Sequence, residues 1–201
     1  MSRTVDYYFA PFSPYAYLGH RRFVTIAAGA GATVNVRPMD LGAVFAVSGG
    51  LPLAKRPVQR QAYRLLDLAR SAKALGLPIQ LHPKHFPVDG AAASRLIVAV
   101  DLHDGPQAAL HLAGAMLDAV WAQERDIADA GTLADLLGEC GLPAVRKAEA
   151  EAPEVAARYA ENTSAAIEAQ VFGAPSFVID GELFWGQDRL DFVERALSAR
   201  P

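Results

Sequence analysis

The chain has 201 residues, 52% of them hydrophobic and 20% charged, which supplies enough apolar surface for a buried core and no compositional case for disorder. A formal net charge of -3 offers no basic field to a phosphate backbone, so general nucleic-acid binding is excluded and small-molecule partners are expected. Cys140 is the single cysteine, which rules out an internal disulfide, a CxxC redox pair and a multi-cysteine metal site within one chain.

Met1 to Phe12 carries Arg3 and Asp6 and lacks the apolar run of a signal peptide, and the sequence holds no apolar stretch long enough to span a bilayer. A cytoplasmic protein without a membrane partner is therefore expected. Arg3 to Ala10 (RTVDYYFA) is rich in β-branched and aromatic residues and stops at Pro11, as a short buried strand does. Ser13-Pro14 then opens a helix to about Gly29, with Ser13 as N-cap, Pro14 at the first helical position, and Tyr17, Leu18, Phe23, Ile26 and Ala27 near helical spacing. Gly29 and Gly31 stop this helix, and the alternation of Thr33 to Arg37 before Pro38 predicts a second strand with a right-handed crossover.

From about Leu41 to Gln170 strand signals nearly vanish, and a loop around Gly49-Gly50 leads into helical periodicity. Ala62, Leu65, Leu66, Ala69 and Leu75 read as one buried stripe; Leu96, Ile97 and Val100, then Leu112, Ala115, Met116 and Ala119, read as others. Beyond Val171, Ser176 to Ile179 and Glu182 to Trp185 flank Asp180-Gly181, a dipeptide favoured in two-residue hairpin turns. Asp188 to Leu197 predicts a closing helix with Asp188 as its cap and Leu190, Phe192, Val193 and Leu197 facing a sheet. The order β-α-β, helices, β-β-α makes an α/β domain of residues 1–40 and 171–201, interrupted by an all-helical insertion domain over 41–170.

Ser13 stands where a strand hands over to a helix, so its hydroxyl is either a simple N-cap or a donor to an external thiolate that the helix end also favours. Ala174-Pro175 precedes the hairpin as a strand-entry proline at a sheet edge or, with a cis bond, as a main-chain docking point for a peptide ligand. Gln187, Asp188 and Arg189 at the mouth of the last helix read as capping and surface charge, or as a clamp for paired amino and carboxylate groups. Lys55, Arg56, Arg60 and Arg64 concentrate positive charge that suits either a solvated face or an anionic carboxylate. Tyr15 and Trp121, with Tyr17, Phe184 and Trp185, are candidates for an aromatic wall. His82 and His85 lie among prolines that break a metal-binding helix, so no metal is expected.

FSPYAYLGH (Phe12 to His20), GGLPLAKRPVQRQAYR (Gly49 to Arg64), HPKHFPVD (His82 to Asp89), AVWAQERDI (Ala119 to Ile127) and VFGAPSFVIDGELFWGQDRLDFVERAL (Val171 to Leu197) resemble the 2-hydroxychromene-2-carboxylate isomerases. These are relatives of the kappa-class glutathione transferases and of the DsbA-like thiol oxidoreductases, and the likeness runs essentially end to end. It implies a thioredoxin-like fold with a large helical insertion, and a homodimer. It also implies glutathione as cofactor, with Ser13 catalytic and in contact with the thiol, Ala174 and Pro175 on the tripeptide backbone, and Gln187, Asp188 and Arg189 at its γ-glutamyl end. The substrate implied is a small aromatic carboxylate, with Tyr15, Lys55, Arg56 and Trp121 around it. Ser13-Pro14-Tyr15-Ala16 stands where redox relatives carry CxxC, so disulfide exchange by this chain is not expected. The neighbouring readings are a kappa-like transferase, in which the glutathione adduct persists, and a thioredoxin-fold binding module without activity.

Overall fold

The computed structural model describes residues 3–199. Its four strands form one mixed sheet in the order β2-β1-β3-β4. β1 (Thr4–Phe9) runs parallel to β2 (Thr33–Pro38), with Thr4 opposite Thr33, and antiparallel to β3 (Ser176–Ile179), with Val5 opposite Ile179. β4 (Glu182–Trp185) closes the other side through a hairpin whose Asp180 and Gly181 both take positive φ, 51° and 83°. β3 is therefore an interior strand, not the edge strand expected: its apolar run is buried at every position and has a hydrogen-bonded neighbour on each side.

α1 (Pro14–Gly29) starts as its sequence dictates, with the Ser13 hydroxyl accepting the Ala16 N–H and Pro14 in the first turn. It lays Phe23 onto the sheet, where that ring meets Tyr7 and Phe177 at centroid distances of 4.6 and 4.7 Å. α2 (Leu41–Ser48) is capped by Asp40 and ends at Gly49 in the left-handed region. α3 (Val58–Leu75) turns a different face inward from the one its apolar residues suggest. Arg64, Leu68 and Ala72 are buried, while Leu66 is 61% exposed and Leu75 lies at the surface.

α4 (Ala91–Asp104) and α5 (Pro106–Trp121) are buried much as expected, and α6 (Ala130–Glu139), the short α7 (Arg146–Glu149) and α8 (Pro153–Glu168) complete the helical part. Sheet and helices share one apolar cluster, reaching from Val5 and Phe9 through Leu96 and Met116 to Leu136 and Val193. α9 (Leu190–Ser198) buries Leu190, Val193 and Leu197; Phe192 points outward, since a residue two positions from Leu190 falls on the opposite face of a helix. Asp188 does not cap α9: Gln187–Arg189 is a separate 3-10 turn, and the Asp188 carboxylate pairs with Arg189 at 3.3 Å. Among the described residues, no helix is long and apolar enough to cross a membrane.

Candidate active site

Three segments far apart in sequence meet at the start of α1. The Ser13 side chain, only 4% exposed at the level of the residue, accepts the Ala16 N–H at 3.2 Å and donates to the Ala174 carbonyl at 3.3 Å. The capping and site readings of Ser13 are thus compatible, because one oxygen has lone pairs for the helix and a proton to direct outward. The Ala174–Pro175 bond is cis, and the Pro175 carbonyl accepts the Gly186 N–H at 2.9 Å, which fastens the Gln187–Arg189 turn to the same loop. Gly19 lets that turn approach α1: a Cβ there would lie 2.9 Å from the Gln187 Cβ. Ser13, Ala174, Pro175 and Gln187–Arg189 accordingly form one continuous patch. Trp185, half-exposed, packs against Phe172 with ring centroids 4.8 Å apart and planes inclined at 57°, beside Gly173, where no side chain would fit against the indole.

On the other side of Ser13, the Tyr15 hydroxyl donates to Asp67 on α3 at 2.9 Å. Burial first, then the bond to Asp67, holds this phenol above its usual titration range. It remains a neutral donor.

The DSBA-like thioredoxin domain profile matches residues 4–198. A 2-hydroxychromene-2-carboxylate isomerase of Pseudomonas putida is 31% identical over 198 residues, covering 96% of this chain and 93% of that protein. The chain belongs to the 2-hydroxychromene-2-carboxylate isomerase family of DSBA-like thioredoxin domains. The isomerase of that name from Sphingobium xenophagum is 28% identical over 199 residues, 98% of this chain and 99% of its own. A solved structure of a 2-hydroxychromene-2-carboxylate isomerase superimposes with a TM-score of 0.80 at 27% identity, covering 96% of this chain and 94% of that one.

Within this family member the expected substrate residues do not all gather at the site. Trp121 is wholly buried, and its indole N–H donates to the Phe12 carbonyl at 3.2 Å. It cannot line a cleft wall; it supports from beneath the turn that carries Ser13. Arg56 follows the 3-10 turn Leu53–Lys55, just before α3, and its charge is felt by Tyr15, but its Nε donates to the Leu51 carbonyl at 2.7 Å and its guanidinium covers the Phe45 ring. Lys55 is an exposed residue of the 3-10 turn Leu53–Lys55. The residue that sequence reading left inside a general basic cluster is Arg64, which is buried against Phe86 and Trp121. Asp67 was missed altogether, although its helical spacing from Arg64 places both on the face of α3 that meets α1. Among the described residues no group of three or more His, Cys, Asp or Glu side chains is arranged to hold a metal ion.

Proposed function

We propose that this chain is a glutathione-dependent isomerase that interconverts 2-hydroxychromene-2-carboxylate, or a closely related aromatic carboxylate, with its trans-benzylidenepyruvate isomer. The observation that carries this reading is the hydroxyl of Ser13, held at the start of α1 and aimed at the Ala174 main chain. Cys140, the single cysteine, ends α6 instead, so a sulfur nucleophile at Ser13 has to come with a ligand.

Glutathione fits the residues present. The Ala174 carbonyl is a main-chain acceptor for the cysteinyl N–H of a tripeptide. Asp188 and Arg189, with side chains 60% and 55% exposed, offer a carboxylate and a guanidinium to the α-amino and α-carboxylate groups of a γ-glutamyl end. When bound, glutathione supplies a thiolate whose reversible addition to the conjugated double bond of the substrate permits cis–trans rotation.

The chain's own residues have three tasks. Ser13 exchanges its bond to the Ala174 carbonyl for one to the sulfur once that carbonyl takes a peptide N–H. Lowering a thiol pKa by two units from about 8.5 requires about 2.7 kcal/mol; a charge-assisted hydrogen bond contributes roughly 1.5–3 kcal/mol and a helix N-terminus roughly 0.3–1 kcal/mol, so the two together suffice. Tyr15, kept protonated and tied to Asp67, forms a fixed polar wall and does not serve as a base. Phe12, Trp121 and Phe86 hold the loop and the shelf behind it.

The test follows the ultraviolet absorbance of 2-hydroxychromene-2-carboxylate with and without glutathione, alongside free thiol. Expected are glutathione-dependent conversion with no net thiol loss, and a fall in kcat of roughly 10- to 100-fold for Ser13→Ala, as loss of a hydrogen bond to a charged sulfur implies. Stoichiometric thiol consumption would make the chain a transferase. Unimpaired turnover by Ser13→Ala would remove Ser13 from the mechanism.

A further inference from the structure

We propose that Arg64 is the receptor for the carboxylate of the aromatic substrate, an assignment that rests on the isomerase reading above. Arg64 is 8% exposed, and its guanidinium carbon lies 5.4 Å from the centroid of Phe86 and 5.5 Å from that of Trp121. Those rings are themselves 4.8 Å apart and inclined at 53°, so they make an aromatic shelf beneath the charge. Among the described residues the Arg64 side chain has no ion pair and no hydrogen bond. Other partly buried arginines are neutralised: Arg37 pairs with Asp6 at 2.6 Å and Arg146 with Asp104 at 2.6 Å.

The carboxylate that could have served Arg64, Asp67 one turn along α3, accepts the Tyr15 hydroxyl, and Arg56 adds a second positive charge to the same neighbourhood. The unpaired donors of Arg64 are not sealed in: among the described residues the one fully buried side-chain nitrogen or oxygen without a partner is Arg95 Nε. Arg64 therefore presents a buried, uncompensated cation whose N–H groups reach solvent. Such a group costs free energy until an anion arrives.

A carboxylate matches the guanidinium fork in two hydrogen bonds, and the partly buried Phe86 ring beside it suits a flat aromatic body. The position is right as well, since Trp121 bonds to the residue before Ser13 and Tyr15 lies within the field of Arg64. The glycine carboxylate of glutathione has the same chemistry and is the competing source. The accessible part of the Phe86 ring favours the substrate.

The experiment uses Arg64→Met, which keeps an aliphatic stem over the rings, and Arg64→Lys, which keeps the charge without the fork; circular dichroism melts confirm that both fold. Steady-state kinetics should show the substrate KM raised at least tenfold in Arg64→Met and partly restored in Arg64→Lys, with half-saturation by glutathione within threefold of the parent. Salicylate, titrated in a Trp185→Phe background where Trp121 is the remaining tryptophan, should change its emission, and Arg64→Met should abolish that change. A raised glutathione half-saturation with an unchanged substrate KM would transfer Arg64 to glutathione and overturn the proposal. Unchanged salicylate binding in Arg64→Met would also overturn it. If the parent binds salicylate through Arg64 yet does not isomerise the chromene, the isomerase reading fails and the carboxylate site stands.

Discussion

A side chain at position 19 would bring its Cβ within 2.9 Å of the Gln187 Cβ and 3.3 Å of its Cα, so the turn carrying Asp188 and Arg189 depends on a glycine one helical turn beyond the start of α1. For Gly19→Ala two effects oppose each other. Helix propensity favours alanine by about 1 kcal/mol, whereas overpacking against a backbone costs about 1–3 kcal/mol. Stability should thus change little or fall by about 1–2 kcal/mol, while displacement of the turn should raise half-saturation by glutathione several-fold with kcat nearly intact. Kinetics at varied glutathione, with a urea titration beside them, check this; an unchanged half-saturation would mean that the turn does not hold the tripeptide. Nothing in the sequence marks Gly19, because an isolated helical glycine gives no sign of what will approach it. Ser13, Ala174 and Gln187–Arg189 were legible because each sits at a local signal: a strand-to-helix junction, a proline before a strand, a charged pair before a helix.

At the scale of elements, α3 shows where hydrophobic periodicity misleads. Ala62, Leu65, Leu66, Ala69 and Leu75 satisfy a helical stripe, yet the buried face is Arg64, Leu68 and Ala72, turned toward the charged and aromatic surroundings of the site. A stripe containing an arginine is not recognised by counting apolar residues, and a buried arginine has meaning only once its neighbours are in place. Leu68, fully buried, should cost about 2–4 kcal/mol when changed to alanine, whereas Leu66→Ala should stay within about 0.5 kcal/mol. Urea unfolding of the two variants separates the faces; equal losses would contradict the observed orientation of α3. The hairpin was easier to read, since Asp180 and Gly181 both require the left-handed backbone that this dipeptide tolerates. The interior place of β3 was not, because a short run such as Phe177-Val178-Ile179 reads the same at an edge and at a centre.

For the whole molecule, residues of β1, α1, α4, α5 and α6 share one apolar cluster, so the sheet and the helices that interrupt it in sequence are built on a common core. His20 ties three of these together. Its Nε2 lies 2.9 Å from the Leu110 carbonyl on α5 and its Nδ1 3.2 Å from the Tyr7 hydroxyl on β1, while the ring packs against Gly114. A carbonyl only accepts, so Nε2 bears the hydrogen and Nδ1 receives the tyrosine proton; the neutral ring is fully satisfied. Burial lowers its pKa from 6.5 to about 4, outweighing the bond to Leu110. The native state therefore binds fewer protons than the unfolded chain between these values. The stabilisation is complete above pH 6.5 and is lost as the pH falls toward 4, by at most about 1.4 kcal/mol per unit and on the order of 3 kcal/mol in all. His20→Gln should be less stable at pH 7, yet the gap between variant and parent should narrow by that amount on acidification to pH 4. Urea midpoints across this range measure the difference directly, and subtracting the variant removes the carboxylate titrations common to both proteins. A gap that stayed constant with pH would mean that His20 takes up its proton in the native core as readily as in the unfolded chain, which would contradict the cost of burying the charged ring.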